Sequence, residues 1–374
     1  MWTAEYRFLL AFVLTSVCAL SAEGAESDKH FEGPYKVAIT ASKNVRATVK
    51  AAYYFPNMVA QEWWVAYALP PEFDGQPAAR GRIRIIEAPS AEPGGIADEG
   101  SLRQPLTTLH WFPDSVDGGR GFTVEAIYDL TINRRTLEPG EPAAAVPRLT
   151  RAERSAFLAS SKHFDFTSPR FRAWLVKEDL KRKSAERDLD FAYRAMQAMV
   201  RTYTYRFELK SDRSASAVCK AGWSDCGGLA TMYVSILRSN GIPARCLSGR
   251  NVEPDSTHVR LDFYAEGVGW VPGDPALAIA RHSAGAGFGR EPTDMVIMHF
   301  DLIRFERQYH WLQGIGTVRS INQNHEGTGA GLRLEHAMTV EILAESAAPT
   351  PVGPERTDRG NRRSRRPASA SPDQ

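Results

Sequence analysis

With 374 residues, of which 43% are hydrophobic and 24% charged, the chain has the composition of a globular protein and the length of two ordinary domains. The formal net charge of +2 at pH 7 is too small to indicate nucleic acid or an anionic membrane as the main partner. We therefore expect no nucleic-acid partner, and the function has to be sought in local motifs.

Residues 1–25 have the pattern of a secretory signal peptide. Arg7 gives a modest positive start, residues 8–20 form a short stretch without charge, and Ala19 and Ser21 offer a cleavage site. The apolar stretch is too short to span a bilayer comfortably, and the alternative is a buried N-terminal helix or strand. We expect an exported protein, periplasmic or secreted, with no membrane span after the signal is cleaved.

The next region, residues 30–140, is expected to be an all-β sandwich. Val37, Ile39 and Ala41 alternate with their neighbours, and the stretch FTVEAIYDLTI places its apolar residues on one face. Turn signals such as LPPEFDG, APSAEPGG and SVDGG separate the strands. Several short strands with no helical period are typical of a sandwich.

A second domain, of the α+β class, is expected at residues 146–345. After the proline-rich junction LEPGEPAAAVP the period becomes helical, with a capping box at Thr150 and Glu153 and a helix start at Ser168 and Pro169. The stretches HVRLDFY, GWVPGD, MVIMHFDLI and AMTVEIL follow as strands. Helices followed by an antiparallel sheet indicate the α+β class.

Residues 346–374 lose most apolar residues, and we expect a disordered basic tail there. Its RRSRR cluster could contact anionic polymers of the cell envelope or nucleic acid. A tail that only aids solubility is the simpler interpretation.

Export affects the interpretation of the cysteines. Cleavage of the signal leaves Cys219, Cys226 and Cys246, and three thiols in an oxidising compartment suggest one disulfide and one reactive thiol. If Cys219 pairs with Cys246, the free thiol is Cys226. The alternative is three reduced and buried cysteines, since proximity is not visible in a sequence.

Cys226 stands at the start of an apolar helical run. Asp225 is a good N-cap residue and Gly241 a good stop, so the helix places Cys226 in its first turn. There the unpaired N–H groups and the positive end of the helix dipole favour a thiolate and could stabilise an oxyanion beside it. Gly227 and Gly228 would leave the backbone uncovered, which predicts close approach of a substrate.

A reactive thiol needs a base, and the base needs an orienting group. His258 lies on the more polar face of a half-buried strand. A hairpin centred near Glu266 would place Asp274 opposite His258 and so bring a carboxylate beside the imidazole. Taken singly, His258 could be an ordinary surface or core histidine, and Asp274, which precedes Pro275, an ordinary turn residue.

The stretches DCGGLATMYVSILRSNGIPARC and THVRLDFYAEGVGWVPGDPA resemble the transglutaminase-like superfamily. The resemblance covers roughly residues 150–310 and implies a papain-like α+β domain. It implies Cys226 as nucleophile, His258 as general base and acid, and Asp274 as the orienting carboxylate. The preceding β region resembles the sandwich found before this domain in some exported bacterial members.

One position departs from the family pattern. Many members have an aromatic residue two positions after the histidine, where this chain has Arg260. On the face of His258, Arg260 could bind a substrate carboxylate or disfavour a nearby imidazolium. The departure concerns the class of substrate more than catalysis.

The expected function is that of an exported cysteine enzyme that acts on protein or peptide amides, including cell-envelope peptides, through a thioester. Hydrolysis is favoured over cross-linking, because water needs no second binding site and many bacterial relatives resemble proteases. No cofactor and no metal are expected. The alternative is an inactive binding or assembly module of the cell envelope, which Arg260 and the basic tail favour and the filled triad positions oppose.

Overall fold

The computed structural model describes residues 31–56, 63–87, 92–99, 104–142, 144–208, 211–301, 317–321, 324–328 and 333–347. The expected signal peptide lies outside the described residues, as does the expected tail from residue 348 onward. No helix of the described residues has the length and apolar character needed to cross a membrane.

Sheets make up most of the elements, and the helices cluster in the middle of the chain. In chain order the strands are β1 (Tyr35–Tyr54), β2 (Trp63–Ala68), β3 (Ala78–Ile85), β4 (Glu92–Glu99), β5 (Gln104–Trp111), β6 (Gly121–Pro139), β7 (Thr204–Tyr205), β8 (Trp223–Ser224), β9 (Ala244–Asn251), β10 (Ser256–Ala265), β11 (Gly269–Gly273), β12 (Met295–Phe300), β13 (Thr317–Ile321), β14 (Asn324–Thr328) and β15 (Arg333–Ala347). The helices are α1 (Arg151–Ala156), α2 (Pro169–Lys177), α3 (Asp188–Thr202), α4 (Ala215–Ala221), α5 (Cys226–Ser239), α6 (Pro275–Ala280) and α7 (Ala284–Gly287).

The N-terminal region consists of two sheets that share one apolar core. The first has the order β15-β1-β6-β3 and is antiparallel, and the second has the order β14-β13-β2-β5-β4. Along β1, every second residue from Val45 to Tyr53 is buried, as alternation predicts. Trp63 of β2 and Leu109 of β5 belong to the same apolar cluster.

The strand AMTVEIL was expected in the second domain, and the structure differs here. It lies in β15, which pairs with β1 along its length, for example Val340 with Ala47. Met338 is buried in the core of the first sheet. Alternation identifies a strand but not its neighbour, and the 20-residue β1 presents a long edge for the last strand to pair with.

The second region is α+β, as expected. Its sheet has the order β11-β10-β9-β12 with antiparallel neighbours, and α5 packs on β9 and β10. The predicted capping box at Thr150 and Glu153 is formed, and the Ser168 side chain caps α2 with Pro169 in its first turn. Helix α5 is buried on nearly all sides, so its first turn is held firmly against the sheet.

A buried histidine of β12 provides a test of this core. His299 is 1% exposed, and burial lowers its pKa to about 4 from the usual 6.5. The unfolded chain therefore takes up this proton as the pH falls below about 6.5, whereas the folded chain stays neutral. The free energy of unfolding of the unmodified chain should therefore fall between pH 7 and pH 4. We predict that this fall is smaller by about 3 kcal/mol in His299→Gln.

Chemical unfolding at both pH values measures this difference. The exposed His282 supplies the matched control, since His282→Gln should retain the pH dependence of the unmodified chain. Equal pH dependence in His299→Gln and the unmodified chain would contradict the assignment.

Candidate active site

Cys226 is the first residue of α5, as the sequence predicted, and it is half-buried. The Asp225 side chain accepts a hydrogen bond from the Gly228 N–H at 3.1 Å and so caps the helix. Arg213 holds the same carboxylate, with Nε 2.9 Å from both of its oxygens. The residue before the thiol is therefore fixed on two sides.

The two glycines after Cys226 do not open the backbone to a substrate, contrary to the expectation from the sequence. Both are buried. A Cβ atom on Gly228 would lie 2.0 Å from Ser224 Oγ, and one on Gly227 would lie 3.0 Å from Arg213 Cδ. The glycines make room for neighbouring parts of the chain itself, so that the first turn can sit close to β8.

His258 and Asp274 are in contact, with Nε2 of the imidazole 2.7 Å from Oδ2 of the carboxylate. The route differs from the predicted hairpin. The paired residues run from Leu261 opposite Gly273 to Ala265 opposite Gly269, a shift of two residues from the expected register. Asp274 follows the end of β11 and caps α6, and this turn brings its side chain to His258.

The carboxylate of Asp274 is 2% exposed but remains charged. Burial raises the pKa of this carboxyl group. Three interactions outweigh burial: the charge and hydrogen bond of His258, the Leu277 N–H at 3.0 Å and the charge of Arg260. The pKa of Asp274 therefore lies below its usual value. A buried carboxylate held in this way is a strong electrostatic partner for the ring.

His258 is polarised by both of its neighbours. Burial lowers its pKa, but the Asp274 carboxylate and a hydrogen bond with the Cys226 thiol reverse the effect and raise the pKa to about 10. Because Nε2 faces Asp274, Nδ1 is the nitrogen left for the thiol. The structure thus brings Cys226, His258 and Asp274 together, with the imidazole in the middle.

Arg260 does not offer an open charge to a substrate, contrary to the expectation. It is 2% exposed, with Nη2 2.9 Å from Glu291 Oε1, and Nη1 donates to the Thr293 carbonyl at 3.1 Å. Its guanidinium is an internal ion-pair partner.

The other two cysteines have different surroundings. All three thiols are free, so Cys219 and Cys246 form no disulfide. Only Cys246 is buried, so the alternative of three reduced and buried cysteines holds for the redox state but not for burial. Burial raises the pKa of Cys219 to about 11 and that of Cys246 well above its usual value. Of the three, only Cys226 lies beside an imidazole.

Sequence reasoning missed Arg213 and Tyr205. Two short parallel strands pair Tyr205 with Ser224, two residues before Cys226. Tyr205 is 47% exposed, but partial burial and the nearby Cys226, Asp225 and Asp274 raise its pKa to about 12, so its hydroxyl stays a neutral donor. Strands of two residues carry no periodic signal that could have revealed this neighbour. Among the described residues, no cluster of His, Cys, Asp and Glu is arranged to hold a metal ion.

We predict that Asp274→Asn lowers the pKa of His258 well below about 10, because only Cys226 then opposes the effect of burial. NMR titration of the imidazole signals measures the change, and the signals of the exposed His282 serve as an internal reference. An unchanged His258 titration in this variant would show that the carboxylate does not set the charge of the ring.

Comparisons with known proteins bear on the family and the fold. Residues 178–275 match the model of the transglutaminase-like superfamily. No curated protein sequence matches the chain. The crystal structure of a candidate cysteine protease from Cytophaga hutchinsonii has a TM-score of 0.52 at 13% identity, over 83% of this chain and 93% of that one, and shows a common fold.

The periplasmic domain of TgpA from Pseudomonas aeruginosa gives a TM-score of 0.32 at 14% identity, over 66% of this chain and 92% of that one. Cys226, His258 and Asp274 all lie within the matched segment. The family match and the helix-then-sheet order around these residues agree. Residues 178–275 are similar to the transglutaminase-like superfamily.

Proposed function

We propose that this protein is an exported cysteine enzyme that transfers acyl groups from protein or peptide amides through Cys226, His258 and Asp274. The observation that carries the proposal is the 2.7 Å contact between His258 Nε2 and Asp274 Oδ2, with Cys226 near enough to the same ring to raise its pKa. This is the order of groups that nucleophilic catalysis by a thiol requires.

In the acylation step, His258 holds the thiol proton and the Cys226 sulfur attacks the amide carbonyl carbon. The carbonyl oxygen takes the electron pair and becomes an oxyanion, which the positive end of the α5 dipole beside Cys226 stabilises. When the C–N bond breaks, His258 gives its proton to the leaving amine. The products are a thioester on Cys226 and a free amine.

In the second step, His258 takes a proton from the acceptor while the acceptor attacks the thioester. The C–S bond breaks and the proton passes to the sulfur, which restores the free thiol. Asp274 stays ionised throughout and holds the ring between the sulfur and the acceptor. Water is our preferred acceptor, because it needs no second binding site, so we propose hydrolysis rather than cross-linking.

Export is proposed from the signal-peptide pattern of residues 1–25. The competing hypothesis of an inactive binding module loses one of its two supports, because Arg260 is an internal ion-pair residue rather than an open docking charge. The basic tail alone does not favour it over an enzyme.

We predict that Cys226→Ala lowers the rate of release of the amine from peptide amides at least about 1000-fold, because it removes the thiol that lies beside the imidazole. The assay uses a panel of fluorogenic peptide amides at pH 7, with and without a primary amine. Free acid as the main product indicates hydrolysis, and incorporation of the amine indicates transfer.

The control is Cys219→Ala, which should keep the activity within about twofold, since this thiol does not contact the imidazole. Retention of activity in Cys226→Ala would contradict the proposal. So would absence of any turnover by the unmodified chain across a broad panel.

A further inference from the structure

A guanidinium of the N-terminal sheet is buried between two carboxylates of the second region. Arg135 of β6 is 1% exposed. Its Nη2 lies 2.7 Å from Asp262 Oδ1 and 2.6 Å from Glu291 Oε1, and its Nε lies 3.0 Å from the same Glu291 oxygen. One side chain of the β region thus holds β10 and the segment after α7 at the same time.

The buried charges continue from Arg135 toward the candidate active site. Glu291 accepts a second guanidinium, that of Arg260, at 2.9 Å. His258, Arg260 and Asp262 are alternate residues of β10, so they succeed one another along the strand. Paired charges therefore run from Arg135 through Glu291 to Arg260, and the charge of Arg260 acts on Asp274 from a distance.

The backbone forms a second link between the same parts. The Leu137 N–H of β6 donates to the Gly289 carbonyl at 2.6 Å, and the Gly289 N–H donates to the Pro272 carbonyl at 2.9 Å. The Asp274 N–H donates to the Gly287 carbonyl at 2.7 Å. Segment 287–291 therefore lies between β6 and the end of β11, where Asp274 begins α6.

The fit of this segment is close. A Cβ atom on Gly287 would lie 2.1 Å from the Asp274 carbonyl oxygen, and one on Gly289 would lie 2.9 Å from Leu137 Cβ. A displacement of segment 287–291 would therefore move the backbone that carries Asp274. Sub-ångström placement matters here, because a shift of about 1 Å in a reacting group can reduce a rate by roughly 100-fold.

Stability alone does not explain why these charges are buried. Replacement of a whole buried ion-pair network by apolar residues is often neutral or stabilising, because desolvation offsets most of the attraction. A planar guanidinium holds its partners in a defined geometry, because its N–H groups bind two carboxylates in fixed directions. An ammonium group does not impose such directions.

We propose that Arg135 is a positioning residue for His258 and Asp274, and that the N-terminal β region is thereby part of the active-site apparatus. The inference rests on the proposed function of the site. It assigns to the β region a role in holding the reacting groups, through Glu291 and segment 287–291, in addition to any role in binding.

The test compares Arg135→Lys with Arg134→Lys in the full chain. Arg134 is the matched control, because it is the adjacent residue of β6 and also forms an ion pair with the second region, with Nη2 2.9 Å from Asp294 Oδ1. Unlike Arg135, its side chain is 38% exposed.

For Arg135→Lys we expect kcat on peptide amides to fall roughly 10- to 100-fold with KM within about twofold. The NMR titration midpoint of His258 should move down. Arg134→Lys should keep kcat within about twofold and leave the titration unchanged.

Circular dichroism and thermal unfolding check that each variant is folded. If Arg135→Lys does not fold, Glu291→Gln decides by the same criteria, because it keeps the size of the side chain and removes the charge that joins Arg135 to Arg260. The proposal is overturned if the folded Arg135 or Glu291 variant matches Arg134→Lys in both kcat and the His258 titration.

The two proposals fail in distinguishable ways. If the unmodified chain turns over no amide, the proposed function fails, and the His258 titration of Arg135→Lys still decides whether Arg135 positions the pair. If the unmodified chain is active and Arg135→Lys equals Arg134→Lys in kcat and titration, only the positioning role fails.

Discussion

The candidate site depends on keeping a negative charge on Asp274, a side chain with 2% exposure. Burial by itself would neutralise such a carboxylate, since the charged form loses its hydration. Three features oppose this: the contact with His258, the Leu277 N–H at the start of α6 and the charge of Arg260. The same interactions determine where the imidazole stands, which nitrogen faces the carboxylate and which is left for the thiol.

Three separate parts of the chain meet at this pair. Helix α5 brings Cys226, with its start fixed by the Asp225 cap and by Arg213. The second sheet brings His258, and the turn from β11 into α6 brings Asp274. Segment 287–291 links the turn that carries Asp274 to the N-terminal sheet through backbone hydrogen bonds. The β region and the α+β region are therefore joined at the place where the chemistry is proposed.

Local signals in the sequence predicted the parts of this structure that local physics determines. The cap of α5 at Asp225 is visible from residue types, and so is the change from alternation to helical period after the proline-rich junction. The juxtaposition of His258 and Asp274 was also predicted, although through a hairpin register that is two residues off. The length of the turn sets the register of a hairpin. Asp274 reaches His258 despite the shifted register because the chain turns from β11 into α6 at this residue.

Features that depend on distant partners were not predictable in this way. Alternation marks β15 as a strand but does not say that it pairs with β1. The glycines after Cys226 looked like an opening for substrate, but Ser224 and Arg213 occupy that space. The sequence suggested that the charge of Arg260 could bind a substrate, but Glu291, 31 positions further on, forms an ion pair with it. Each miss involves a contact between residues whose proximity only the fold creates.

The central claim is that the imidazole of His258 activates the thiol of Cys226, and the alkylation rate of that thiol tests it most directly. Iodoacetamide labelling with peptide mapping follows Cys226, Cys219 and Cys246 separately in one sample, from about pH 4 to pH 9. We predict that Cys226 reacts fastest at neutral pH and that His258→Ala slows it at least about tenfold without changing Cys219. Equal rates at Cys226 in the unmodified chain and in His258→Ala would contradict the account.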